Sequence, residues 1–377
     1  QHVLSLYRNS SRNSGVDFSK TAISLLPMSP EMVRICATSM LVAGAANTLA
    51  IKVQLGLVSV DSFGELQIFQ RPWFQTFTAF LAMPLVMFVE DLKNDCCPTP
   101  HVQMVEDPLL EQPRTDELTP GNFFLLAIPA FFNLLATFLN MVGIIYIPAS
   151  VWAMLSGAAP FFVFMFSVLT RKTEFDLFHG LGLLLGITGL VMIGYASVQQ
   201  YNGLQDIGPF PQAVGVAVTL LGQVFRAASG TAKQYFLKDL HLRAVTRLGA
   251  LDLWALILMI EVVFPWLWMR RGEDHGHLED IFSTLALVKN SQAVFCMFVI
   301  QFFASGICKS IEETGVLPSV ARIMLDALRT MLVWHVGLFV YYAVDNWLPF
   351  GEEWTDFSHL QLCGFVILTA GRVVLIS

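Results

Sequence analysis

Residues 123–169 read FFLLAIPAFFNLLATFLNMVGIIYIPASVWAMLSGAAPFFVFMFSVL, an apolar run too long for one membrane crossing and broken at Pro148. A helix in lipid needs roughly 20 predominantly apolar residues, because every backbone polar group must be satisfied inside the segment. The run therefore reads as two helices, 122–144 and 148–169, joined by a tight turn around Ile145, Tyr146 and Ile147. A nine-span parse, with this run as one element, is the alternative.

Working outward, apolar stretches of similar length recur at 32–57, 72–89, 177–196, 211–232, 244–268, 286–308, 316–342 and 357–376. Composition agrees: 55% of the 377 residues are hydrophobic, 14% are charged, and mean hydropathy is +0.61. Soluble domains run at about 45–50% apolar and about 25% charged. No stretch alternates apolar and polar residues as barrel strands do. The expected fold is an all-α integral membrane protein with ten transmembrane helices.

Basic residues set the expected orientation. Arg8, Arg12, Lys20, Arg34, Lys93, Arg114, Arg171, Lys172, Lys233, Lys238, Arg243, Arg247 and Lys309 fall on the side of the N-terminus, against Arg71, Arg270, Arg271 and Lys289 on the other. That bias places both termini in the cytoplasm. The net charge of −7 says little about partners, because the acids cluster in loops, most densely from Glu90 to Glu117. Residues 1–31 are polar and Ser-rich and read as a flexible cytoplasmic tail; the chain opens on Gln1, so a preceding segment is expected. Asn9-Ser10-Ser11 is a glycosylation sequon by pattern, unused in a cytosolic tail. The first apolar run is longer than a signal-peptide core and is read as a retained helix.

Six cysteines form no disulfide framework: Cys36, Cys296, Cys308 and Cys363 lie in apolar helices, and Cys96-Cys97 has no His or acid at zinc-ligand spacing. No metal and no cofactor is expected. No Walker A pattern appears, which argues against ATP-driven pumping.

The two halves echo each other. Pro-Ala-Ser-Val-Trp-Ala-Met-Leu at 148–155 answers Pro-Ser-Val-Ala-Arg-Ile-Met-Leu at 318–325, and Gly182 and Gly189 correspond to Gly364 and Gly371. The reading is two inverted five-helix repeats, 32–196 with an acidic loop at 90–121, and 211–376. Five helices per copy reverse the second copy in the membrane, which puts a site near the midplane, open alternately to either side.

Further residues resemble a known family. Gly44, Asn47-Thr48-Leu49 and Lys52 in the first helix, Pro72 and Gln75 in the second, and Leu242-Arg243-Ala244-Val245 after the sixth carry the pattern. Its most specific part is in the ninth: Ala321-Arg322, Met324-Leu325-Asp326, Leu328-Arg329-Thr330 and Trp334; Leu360-Gln361 and Gly364-Phe365 follow in the last. In these residues the chain resembles the drug/metabolite transporter superfamily, and within it subfamily F of solute carrier family 35. The resemblance implies a ten-helix, inverted-repeat carrier of endomembranes such as lysosome, Golgi or vacuole. It departs at Ala153 and Ser156, where the family carries Gln and a basic residue, and at Thr231 and Ala232, where it carries acids before Lys233. Both departures remove polar groups from the expected cavity wall, so a relative's substrate does not carry over.

An ionisable residue in a span costs roughly 2.5–3.5 kcal/mol on insertion scales, so it faces a cavity or a partner. Arg322, Asp326 and Arg329 share one face of the ninth helix, with Asp326 able to pair with either arginine. They either line an anion-attracting cavity, with Asp326 fixing geometry or exchanging a proton, or merely lock helices together. Arg226, one turn beyond Gln223, is a cavity candidate or a snorkelling side chain. Glu261, central in the seventh helix, is a proton-coupling candidate or the partner of a base elsewhere. Asn47 and Lys52, Asn133 and Asn140, Gln75 and Gln301 complete the substrate-binding candidates; interhelical hydrogen bonding is the plainer reading for the amides. His179, His335 and His359 are weaker coupling candidates near helix ends.

The functional expectation is a secondary active transporter for a small anionic or amphiphilic solute, working by alternating access. Exchange for another solute or coupling to protons through Asp326 or Glu261 both fit. The alternative is a non-transporting scaffold or receptor on the same fold. An intramembrane enzyme would need paired aspartates, a Ser-His dyad or a metal cluster, and no such set stands out. Expected partners are a small-molecule solute and membrane lipid, with protons and a homodimer left open, and no nucleic acid.

Overall fold

The computed structural model describes residues 30–96, 120–170, 176–200, 209–236, 244–272, 274, 276–314, 317–344 and 351–376. The expected tail, its sequon, Cys97, the middle of the acidic loop, Arg171, Lys172 and the Leu242-Arg243 pair lie outside them. Among the described residues the protein is all-α apart from one small hairpin, with ten helices long and apolar enough to cross a membrane. In order these spans are Glu31–Gly56, Pro72–Val89, Phe123–Tyr146, Ala149–Leu169, Leu177–Gln199, Phe210–Phe236, Thr246–Met269, Gln292–Glu312, Ser319–Ala343 and Ser358–Ile376. Here "inner" denotes the end of the bundle where the first span begins, and "outer" the end where it finishes.

Pro148 divides the third span from the fourth, as its chemistry requires. A proline lacks the N–H of a continuing helix and pushes the residue before it into extended geometry. Ile147 accordingly sits at φ −118° and ψ 156°, and Pro148 caps the next helix. The ten-span parse holds, and the nine-span alternative does not. Other prolines act more gently. Pro84 stays inside a continuous helix, whereas the fourth span restarts at Ala159, just before Pro160. In the seventh span Pro265 follows a π-helical turn, Met259–Val263, in which Phe264 N–H reaches back to Met259 O. The missing N–H of Pro265 loosens the turn before it into this wider pattern.

The eighth span begins later than its apolarity suggests. Asp280 caps a separate helix, Ile281–Asn290, by accepting Phe282 N–H at 2.8 Å; Ser291 is extended, and the span starts at Gln292. This short helix belongs to an outer cap. There β1 (Val58–Val60) pairs antiparallel with β2 (Leu66–Ile68), turning where Asp61 accepts the N–H groups of Phe63 and Glu65, both at 2.8 Å. Gly64 takes φ 87°, which a side chain would resist. Ser59 donates to Leu287 O at 2.7 Å and Asn290 to Val60 O at 2.9 Å, tying the hairpin to the short helix. Arg71 pairs with Asp274 at 2.6 Å. Glu279 accepts Phe74 N–H at 2.9 Å and Trp73 N–H at 3.2 Å on the first turn of the second span, and burial raises its pKa to about 7.

Bare backbone packs the fifth span against the tenth. A Cβ at Gly189 would stand 2.6 Å from Gly364 O, and one at Gly182 3.2 Å from Gly371 O. Without side chains the two helices approach closely, as small residues allow in lipid. Next to this contact, Val151, Met154, Ile193, Trp334, Phe365 and Leu368 form a buried core shared by the fourth, fifth, ninth and tenth spans. Large apolar residues such as Leu177, Phe178, Leu184 and Val191 stay exposed on the fifth span, as a lipid-facing surface requires.

Candidate functional site

The inner half holds a charged network spread over four spans. Asp326, on the ninth, makes an ion pair with Arg329 one turn on, and its second oxygen accepts from Arg372 of the tenth at 2.9 Å. Two glycines make room for these arginines. A Cβ at Gly44 would meet Arg329 Cδ at 2.4 Å, and one at Gly157 would meet an Arg372 terminal nitrogen at 3.2 Å. The Nε atoms of both arginines are buried without a partner, each a donor left for something else. Arg226, on the sixth span, and Glu312, at the end of the eighth, are exposed yet electrostatically coupled to each other and to Asp326 and Arg329. Three guanidinium groups thus converge on two carboxylates.

A second buried pair lies beside it. Lys309 of the eighth span reaches Asp252 of the seventh at 2.6 Å and Ala79 O of the second at 2.7 Å, with its ammonium 5.0 Å from the Phe80 ring. Sequence reasoning counted Lys309 with the loop cations; its position inside an apolar helix, with Asp252 in the helix before, was the signal for this pairing.

Polar side chains without full partners mark the first, second and eighth spans. Gln75 donates to Gln54 at 3.0 Å, but the Gln75 oxygen and the Gln54 nitrogen remain unpaired. Both amide atoms of Gln301 and the oxygen of Asn47 are likewise buried and unpaired. Leaving such a group dry costs about 1–3 kcal/mol, so these atoms call for water or a ligand. Gln223 donates to the Asn140 oxygen at 2.7 Å across the third and sixth spans, while its own side-chain oxygen is also buried and unpaired. Asn133 is half-buried on the same helix as Asn140 and apart from that bond.

Two cations cap broken helices. Lys52 donates to Ile144 O at 2.8 Å and Ile147 O at 2.9 Å, at the end of the third span. Arg322 donates to Leu317 O at 3.0 Å and Glu312 O at 3.2 Å, at the end of the eighth. Cations suit helix C-termini, where free carbonyls concentrate negative charge. The expected Arg322–Asp326–Arg329 face is therefore redistributed: Asp326 takes Arg329 and Arg372, and Arg322 serves as a cap. Glu261 sits on the π-helical turn between exposed Ile260 and Val262, with no ion pair among the described residues.

The sequence model of the EamA-like transporter family matches residues 69–195, the second to fifth spans. Solute carrier family 35 member F6 of Homo sapiens is 24% identical over 343 residues, covering 89% of this chain and 86% of that protein. The Pongo abelii protein of the same name gives the same figures. An uncharacterised protein of Schizosaccharomyces pombe is 24% identical over 264 residues, 68% of this chain and 75% of its own. The chain is thus similar to the EamA-like transporters over its second to fifth spans and to solute carrier family 35 member F6 over most of its length.

Its ten apolar spans make it a multi-pass integral-membrane protein, and its similarity to the subfamily F transporters of solute carrier family 35 supports secondary transport across a membrane rather than enzymatic chemistry. The residues that sequence reasoning missed are informative. Arg372 was a lone arginine in an apolar final helix, and Glu312 a lone acid at the end of another. Glu352 lay in a loop with no periodicity to mark it. The structure brings it to the outer end, where it accepts Ser150 N–H at 3.0 Å.

Proposed function

We propose that this transporter carries a small anionic or amphiphilic solute across an endomembrane by alternating access, exchanging it for a second solute. The observation that carries this reading is the excess of guanidinium over carboxylate at Arg226, Arg329, Arg372, Asp326 and Glu312, with two buried arginine Nε donors unspent. An arriving carboxylate or phosphate would complete them, as arginine forks favour. Asn47, Gln75 and Gln301 supply neutral donors and acceptors along the same path, and Lys52 with Asn133, Asn140, Gln223 and Arg322 frames it. Both oxygens of Asp326 are engaged by arginines, and Glu261 stands apart from the network. Solute exchange is therefore favoured over proton coupling.

The inverted repeat, 32–196 against 211–376, has its own support. If Gly182 matches Gly364 and Gly189 matches Gly371, the contacts Gly182–Gly371 and Gly189–Gly364 are the reciprocal pairs of a two-fold axis between the fifth and tenth spans. The capped carbonyls of Ile147 and Leu317 precede the matched Pro148 and Pro318 in the same way. Rocking of one repeat against the other about such an axis would expose the site to each side in turn. The distribution of Lys and Arg orients the inner end to the cytoplasm.

Reconstitution into proteoliposomes, screened with amino acids, nucleotides and organic anions, tests this. Arg329→Gln should reduce saturable anion uptake at least about tenfold, the equivalent of 1.4 kcal/mol, while the protein stays monodisperse. Unchanged uptake in that variant would sink the binding role.

A further inference from the structure

We infer that the first turn of the fourth span is a carboxylate site at the outer end, filled in this conformation by the chain's own Glu352 and open to a solute carboxylate once residues 352–354 lift away. Among the described residues, the groups bonded to the seated carboxylate are all donors. One Glu352 oxygen accepts Ser150 N–H at 3.0 Å, the other accepts the Ser150 hydroxyl, and Ala149 N–H adds a further bond. Lys52 of the first span is the cation that faces it, with its ammonium also held by Ile144 O and Ile147 O. The turn is the start of a helix, where free N–H groups favour an anion. A second feature lies on a different span. Gln361 of the tenth is 1% exposed, points its nitrogen at the Ser150 hydroxyl from 3.4 Å, and keeps its oxygen unpaired. A protonated acid would turn an O–H toward these donors, so the ionised form fits the seat, and the donors offset what partial burial costs it.

The occupant is tethered, and its tether closes the outer end. Glu352 N–H donates to Gly337 O of the ninth span at 3.1 Å, and a Cβ at Gly337 would stand 3.2 Å from Glu352 Cγ, so a glycine leaves room for the arm that carries the carboxylate. Two residues on, Trp354 stacks on the buried Trp334 with centroids 5.3 Å apart and planes within 10°. Gln200, at the outer end of the fifth span, donates to Glu353 O at 3.3 Å. Residues 352–354 thus clasp the fourth, fifth and ninth spans, while Arg226 and Glu312 stand exposed in the inner half. A free carboxylate can enter the seat only when Glu352 leaves it. It therefore binds the unclasped state alone and shifts the population toward that state. This inference rests on the carrier reading and adds a coupling to it. An anion arriving from outside opens the end by which it enters, and an unloaded carrier stays clasped, as exchange requires.

Thermal unfolding of the purified full chain at one fixed pH tests the seat, with acetate as the probe, acetamide as its neutral shape-mimic and chloride holding the ionic strength. Glu352→Ala vacates the seat. Acetate at about ten times its dissociation constant should raise the unfolding temperature of that variant saturably, by on the order of 2 °C, and acetamide should not. Wild type, with its seat already filled, should show no such rise. In wild type the same acetate should instead multiply the unclasped population, so that the Glu352 amide held by Gly337 O exchanges its hydrogen about tenfold faster than in acetamide. That rate should climb in proportion to acetate, which decides the matter even where the alanine variant fails to fold. No acetate-specific rise in Glu352→Ala, an equal rise in wild type, or the same wild-type exchange rate in acetate and acetamide would overturn the outer site. Anion uptake without the acetate responses overturns the site and spares the carrier reading; the responses without uptake do the reverse.

Discussion

A Cβ at Gly44 would lie 2.4 Å from Cδ of Arg329, so the first span admits this arginine because residue 44 has no side chain. The central cation of the proposed site is thus positioned by an absence on a neighbouring helix. Gly44→Ala should push Arg329 off Asp326 and lower anion uptake more than it lowers stability, which overpacking of this kind reduces by about 1–3 kcal/mol. Uptake kinetics alongside thermal unfolding in detergent separate the two effects; wild-type kinetics would show that Arg329 tolerates the methyl group.

Asp326 and Arg372 should be energetically coupled. Breaking a buried pair by removing one partner costs about 3–5 kcal/mol, because the other charge is stranded. Asp326→Asn and Arg372→Met should each be strongly destabilising, while the double variant recovers part of the loss, with a coupling of about 0.5–3 kcal/mol. Strict additivity in thermal unfolding would indicate that Arg329 alone satisfies Asp326.

Contacts between the fifth and tenth spans make a graded prediction. Gly189→Val places new atoms beside Gly364 O, 2.6 Å from the Cβ position, and cannot be relieved by turning a side chain. It should lower the unfolding temperature markedly and reduce the folded yield. Gly194→Val is the control: its nearest neighbour is a Val216 methyl at 3.4 Å, an ordinary contact. Equal effects at both positions would remove the close approach as the cause.

Glu279 gives the outer cap a pH dependence of known sign. Its folded-state pKa is raised from 4.5 to about 7 by burial, so between those values the folded protein holds a proton that the unfolded chain has lost. Stability of the cap should therefore fall as pH rises from about 4.5 to about 7, by roughly 2–4 kcal/mol in all, and stay low above that. Hydrogen exchange of Trp73 and Phe74 amides reports this locally. Glu279→Gln should flatten the profile; an unchanged profile would place the titration elsewhere.

Much of this architecture can be read from the chain because lipid enforces simple rules. Pro148 announces the turn between the third and fourth spans, and Gly182 and Gly189 announce a close-packed face. Asp326 and Arg329 stand out as charges in an apolar helix. Partner choice is less legible, since it depends on which helices become neighbours: nothing local distinguishes Arg372 as the mate of Asp326 from Arg322, which turns back to cap its own connection. The same holds for Asp252 and Lys309. Glu352 and the β1–β2 hairpin lie between spans, where no periodicity applies and where a glycine at residue 337, fifteen positions away, makes the seat.

The glycine contacts between the fifth and tenth spans also bear on how such a chain can change over time. Each half can drift freely in its loops and on its lipid face. A side chain gained at residue 189, however, must be answered by the backbone near residue 364, and one gained at 182 by that near 371. Along this seam each helix is therefore the other's mould.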